Sequence, residues 1–137
     1  MTIAALVDHR GGFRVYNVGG RLRCNGVCAA LYDPGASIVE QARAVDPNDA
    51  LVSWVEDGTF TKLRELSVTW AVPRAWRRRV GARSTTLGLV GRNPWTGTDY
   101  SGLDPEVSST SQSGTLQDEL FTLPLVRTVM LRLDAGW

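Results

Sequence analysis

The 137-residue sequence contains a single lysine, a single histidine and two cysteines, and no apolar run approaches the ~20 residues that a membrane-crossing helix requires. The stretch from Met1 to Arg10 lacks the basic start and apolar core of a signal peptide. An excess of either sign of charge is missing as well. With 15 basic against 14 acidic side chains the net charge is +1, which argues against a general nucleic-acid binder, whose basic excess would be strong. Fourteen of the basic residues are arginine and only Lys62 is lysine, a bias that reflects a GC-rich genome as readily as a function. Catalytic signatures are absent too. His9 has no serine or cysteine motif beside it, and neither a glycine-rich phosphate loop nor an H-E-x-x-H pattern occurs, so no enzyme is expected. Cys24 and Cys28 with one distant histidine leave a four-ligand zinc site short of ligands, and no metal or cofactor is expected.

What the sequence does have is period-two alternation, the mark of a strand with two different faces. From Phe60 to Val72, Leu66, Val68, Trp70 and Val72 fall on one face and Glu65, Ser67, Thr69 and Ala71 on the other. Near the C-terminus Leu125, Val129, Leu131, Leu133, Ala135 and Trp137 alternate with Thr128, Met130, Arg132, Asp134 and Gly136, and Arg127 is the one charge on the apolar side. A third strand fits Ser84 to Asn93. A fourth, weaker one sets Ile3, Ala5 and Val7 against Ala4, Leu6 and Asp8.

The connections between these strands are very unequal. The segment 11–59 is punctuated by Gly11-Gly12, Gly19-Gly20, Asn25-Gly26, Asp33-Pro34-Gly35 and Asp46-Pro47. Only Ala36 to Val45 reads as helix there, with Ser37 and Glu40 spaced as a capping box. The segment 73–83 is short, and 96–123 is long and polar. Loops of that length are uncommon in compact soluble domains. Two architectures fit this order. One is a soluble β-rich structural or interaction module, of a virion or partner-binding type, that packs the apolar faces into a core. The other is a transmembrane barrel whose apolar faces meet lipid and whose short periplasmic turns alternate with long external loops. The loop asymmetry favours the barrel.

Three blocks of residues carry a resemblance: Phe60-Thr-Lys-Leu-Arg-Glu-Leu-Ser-Val-Thr-Trp-Ala-Val-Pro73, Gly91-Arg-Asn-Pro-Trp-Thr-Gly-Thr-Asp-Tyr-Ser-Gly-Leu-Asp-Pro-Glu-Val107 and Pro124-Leu-Val-Arg-Thr-Val-Met-Leu-Arg-Leu-Asp-Ala-Gly-Trp137. In order and spacing they resemble the last strands of TonB-dependent outer-membrane receptors of the SusC/RagA type. The chain departs from that pattern in ending on Trp137 rather than phenylalanine, in having Gly97 at an aromatic position, and in placing Pro94, which suits a strand end or edge, after Asn93. The resemblance implies an all-β fold: a transmembrane β-barrel segment of about four antiparallel C-terminal strands over 1–137, two long extracellular loops and one short helix in the first loop. Family members also carry a signal peptide, a plug domain and roughly 22 strands, more than this length holds, so the expectation is a C-terminal portion, arising from a split or truncated gene or as an excised piece.

Site residues follow from this. Leu131, Leu133 and Trp137 match the family's barrel-assembly signal, and the bland alternative for Trp137 is an aromatic at the membrane girdle. Asn93, Tyr100, Gly102, Asp104, Pro105 and Glu106 match the family motif where a strand exits into its loop. Glu65, Arg92, Arg132 and Asp134, on polar faces, are expected to line the lumen. Cys24 and Cys28 flank a tight-turn dipeptide, where either a disulfide or two unpaired thiols can stand. Arg74, Arg77, Arg78, Arg79 and Arg83 read as a solvated periplasmic turn. The resemblance further implies an outer-membrane location in a Gram-negative-type bacterium and uptake of a glycan, peptide or similar large substrate. The implied partners are the rest of the barrel and plug, membrane lipid, the barrel-assembly machinery and a surface lipoprotein, with no nucleic acid.

Overall fold

The structure, a computed structural model, describes residues 1–24, 28–45, 51–107, 116–120 and 122–137. The strands are β1 (Thr2–Arg10), β2 (Arg14–Asn17), β3 (Val55–Asp57), β4 (Phe60–Ala71), β5 (Ser84–Thr98), β6 (Leu116–Glu119) and β7 (Thr128–Gly136). The short α-helices are α1 (Val18–Cys24), α2 (Ile38–Ala44) and α3 (Arg74–Arg77). They form two compact units, one of Met1–His9, Thr61–Gly97 and Leu125–Trp137, the other of Arg10–Phe60 and Thr98–Pro124.

The first unit is a four-stranded sheet in the order β1-β4-β5-β7. Its strands follow the four alternating segments of the sequence, and the fold is all-β. β5 and β7 pair antiparallel from Ser84↔Gly136 to Arg92↔Thr128. The Val72 amide donates to the Thr85 carbonyl at 2.9 Å, while Gly91 lies against the Leu66 carbonyl, so β4 and β5 also run in opposite directions. His9 Nδ1 meets Thr61 Oγ1 at 2.9 Å and Arg64 Nη2 donates to Asp8 Oδ2 at 2.6 Å, which sets β1 antiparallel to β4 in the same way. Both long connections therefore leave and rejoin one end of the sheet, and the short turn closes the other.

Two boundaries differ from those read in the sequence. β5 continues through Pro94 to Thr98, and β7 begins only at Thr128. Pro94 is tolerated because the pairing with β7 stops at Arg92, so the amide that proline lacks is not called on there. At this stop Asn93 takes φ +49°, a conformation asparagine accepts more readily than most residues, and its Nδ2 donates to the Val126 carbonyl at 3.3 Å.

The second unit has more regular structure than the single helix expected. α2 is capped as the sequence spacing requires: the Glu40 amide donates to Ser37 Oγ at 3.2 Å and the Ser37 amide to Glu40 Oε2 at 3.1 Å. α1, however, forms across the Gly19-Gly20 pair that reads as a turn, because Asn17 Oδ1 accepts from the Gly20 amide at 2.6 Å and caps its first turn. A three-stranded sheet, β3-β2-β6, accompanies these helices, with β2 antiparallel to β3 and parallel to β6. Phe13, Val15, Phe60 and Tyr100 form the core of this unit, with Phe13 edge-on to Phe60 at 6.2 Å. Gly58 is needed there, since a Cβ on it would lie 2.3 Å from the Phe13 ring.

Candidate functional site

The first unit presents two chemically opposite faces, fixed by the register. On one, Leu66, Val68, Trp70 and Val72 of β4 align with Gly91, Leu89, Leu87 and Thr85 of β5, and these with Val129, Leu131, Leu133 and Ala135 of β7. This face is uncovered: Val129, Leu131 and Leu133 are 77%, 78% and 65% exposed. The buried apolar side chains among the described residues, Phe13, Val15, Trp54, Phe60 and Tyr100, all belong to the second unit. A contiguous apolar sheet face with no core beneath it is the surface of something that meets lipid or another protein.

The opposite face is polar. Glu65, Arg92, Arg132 and Asp134 all lie on it, with Arg92 Nε at 3.6 Å from Glu65 Oε2 and Arg132 Nε at 2.8 Å from Asp134 Oδ2. These pairs are well exposed, so each contributes little to stability, about 0–1 kcal/mol. At the turn end of the apolar face, Trp76 packs edge-on against Trp70 with ring centroids 6.0 Å apart, and the Arg83 amide donates to the Gly136 carbonyl, which brings Trp137 to the same end. Leu131 and Leu133 lie on β7 leading up to it. β5 has 15 residues. At ~3.3 Å per residue it extends over about 50 Å.

The second unit holds a buried polar network. Asn17, 1% exposed, donates through Nδ2 to Ser101 Oγ at 3.1 Å. Ser101 in turn donates from Oγ to Glu56 Oε1 at 2.7 Å and from its amide to Glu56 Oε2 at 2.9 Å. Arg43 Nη1 completes the set on Glu56 Oε1 at 3.1 Å while its guanidinium lies over the Trp54 ring, 5.7 Å from the centroid. Neighbouring Tyr100 donates to Glu119 Oε2 at 3.0 Å, and both are buried. Burial raises the Tyr100 pKa well above that of a free phenol, and the Glu119 charge, its hydrogen bond and Glu56 add to the shift while Arg23 opposes it. Because the folded pKa lies above the unfolded value of about 10, this contribution to stability is complete below pH ~10 and is lost as pH rises further. Tyrosinate absorbance in an alkaline titration should lag for one of the tyrosines until the unit opens.

Beside the network lies a cavity of about 590 Å³, lined among others by Asn17, Arg23, Asp33, Arg43, Trp54 and Ser101. Cys24 and Cys28, joined as a disulfide, also line it. An aromatic face, two guanidiniums and hydrogen-bonding groups suit a polar organic ligand. Of the motif residues, Tyr100 and Asp104 are buried, Pro105 fully so, and the Glu106 amide donates to Asp104 Oδ1 at 3.0 Å. Gly102 is the residue that fits against Tyr100, because a Cβ there would fall 2.4 Å from the ring. The sequence signal for Asn17 was present, an asparagine just ahead of a helix, but it was masked by the glycine pair. Nothing local marks Glu56, Arg43 or Glu119.

No family model matches the sequence. TonB-dependent receptor P3 of Formosa agariphila is 34% identical over 55 residues, 40% of this chain and 6% of that protein. In three dimensions the RagAB peptide transporter superposes on 97% of the chain with a TM-score of 0.69 at 17% identity, using 15% of the transporter chain. The chain resembles a stretch of a TonB-dependent receptor barrel. The RagAB peptide importer in its closed-closed and open-open states superposes with TM-scores of 0.67 and 0.60, both at 16% identity. The chain thus has an all-β fold similar to part of a RagA-type barrel, and it spans about 15% of the solved chains it matches.

Proposed function

We propose that this chain supplies the C-terminal wall strands of a TonB-dependent receptor of the SusC/RagA type in a Gram-negative outer membrane, and that the whole receptor takes up a peptide, glycan or similarly large nutrient. The observation that carries this reading is the two-faced sheet, whose apolar side is uncovered and whose polar side holds the Glu65–Arg92 and Arg132–Asp134 pairs. Lipid on one side and a wet lumen on the other account for both faces at once. A surface lipoprotein partner follows from the family resemblance, and the fold neighbour RagAB is named a peptide transporter. β1 and β7 stand at the edges of the sheet, and in hydrocarbon their outward backbone groups need further strands. The chain therefore acts with the rest of a barrel and plug and does not transport alone. The Cys24–Cys28 disulfide is part of the external loops in this reading, where oxidising conditions keep it closed.

Vesicles test the proposal. With bromine-labelled acyl chains, the tryptophan fluorescence of the folded protein should be quenched, since Trp70 lies on the lipid face. A water-soluble, monomeric, cooperatively folded chain with unquenched tryptophan would overturn it in favour of a soluble β-rich module. The assembly role of Leu131, Leu133 and Trp137 has its own readout. Trp137→Ala in the receptor should lower the heat-modifiable, assembled fraction in outer membranes severalfold, whereas a girdle role alone would leave that fraction close to wild type.

A further inference from the structure

The strand hairpin at the short-turn end carries a charge pattern that barrel wall does not require. Between Glu65 and Asp99 the sequence has no acidic residue, yet Arg74, Arg77, Arg78, Arg79 and Arg83 fall within the turn. α3 and the tight turn after it, closed by Gly81 at φ +72°, gather the five arginines at one end of the sheet. Arg74, Arg78, Arg79 and Arg83 are exposed, and no ion pair engages any of the five among the described residues. Arg77 Nη1 donates to the Arg83 carbonyl, while its Nε is buried without a partner. Like charges gathered this closely repel one another, and a solvated turn has no need of them.

Beside the arginines stands Trp76, 62% exposed and edge-on to Trp70, which lies on the apolar face. Apolar face, indole and guanidinium thus follow one another in the order of acyl chain, interface and phosphate layer in a bilayer. Guanidinium binds phosphate oxygens bidentately, and each cation near an anionic membrane surface gains about 1 kcal/mol, a factor of about five.

We propose that the 73–83 turn is an anionic-phospholipid docking site, in which Arg74, Arg78 and Arg79 hold the phosphates of headgroups in the leaflet facing the short turns and Trp76 sets the depth. This rests on the membrane reading above. In lipid nanodiscs the whole barrel that carries this chain should associate with spin-labelled phosphatidylglycerol about fivefold more strongly than with spin-labelled phosphatidylcholine for each arginine engaged, and added salt should reduce the preference. R74Q/R78Q/R79Q should bring the two lipids to near parity, while R127Q, a charge removed near the other end of β7, should leave the preference in place.

A protein that inserts but shows no preference, or one whose preference survives the triple substitution, overturns the proposal and leaves the membrane reading intact. Equal competition by inorganic phosphate at the same concentration also overturns it, since the site would then take a soluble anion. Failure of the whole barrel that carries this chain to insert into nanodiscs of either lipid overturns the membrane reading itself, and bromine quenching identifies that outcome independently.

Discussion

Leu131→Arg should destabilise the membrane-embedded protein by about 2–4 kcal/mol, the cost of placing a guanidinium on the lipid face near the bilayer midplane. Leu131 pairs with Leu89 in the middle of the β5–β7 register and is 78% exposed. By the ordinary rules for soluble proteins, an exposed leucine replaced by arginine changes stability by ~0.5 kcal/mol or less. The same substitution therefore costs several times more on a lipid-facing sheet than on a water-facing one. Met130→Arg is the control. Met130 is next along β7 on the polar face, opposite Val90, and should cost far less. Urea titration of the reconstituted barrel, followed by tryptophan fluorescence, measures both, and equal near-zero values for the two variants would remove lipid from the apolar face.

The second large effect belongs to Glu56. This carboxylate is 8% exposed and accepts from the Ser101 amide, Ser101 Oγ and Arg43 Nη1. Glu56→Ala leaves three donors without their acceptor and should destabilise the second unit by about 2–4 kcal/mol, at the upper end of what an unsatisfied buried group costs. Arg43 is 26% exposed and can turn to water, which keeps the effect below that of breaking a fully buried pair. Glu56→Gln retains an acceptor for Ser101 and should recover part of the loss. Hydrogen exchange at the β2 and β3 amides reads the outcome. A double-mutant cycle with Arg43→Ala isolates the ion pair, and additivity of the two would show that Glu56 acts through Ser101 alone.

The four long strands and their faces were legible in the sequence because alternation is a local property: each residue's side follows from its neighbours, and the register then only has to match like with like. The capping box of α2 was legible for the same reason, its Ser37 and Glu40 being one helical turn apart. β2, β3 and β6 were not. They span 3 or 4 residues each, too few to show a period, and β2 finds its parallel partner in β6, where Arg14 stands opposite Leu116. α1 was hidden by glycines that cost about 1 kcal/mol each in a helix, offset here by the Asn17 cap and the burial of Gly19.

The sequence by itself determined that this protein is a two-faced sheet with long connections at one end and an arginine-rich turn at the other. Only the tertiary structure decided that Asn17, Arg43, Glu56 and Ser101 form one buried network, that Tyr100 donates to Glu119, and that a cavity opens beside them. The reason is range. A strand's faces are set by the geometry of successive residues, whereas a buried carboxylate is tolerable only once donors from distant parts of the chain have converged on it.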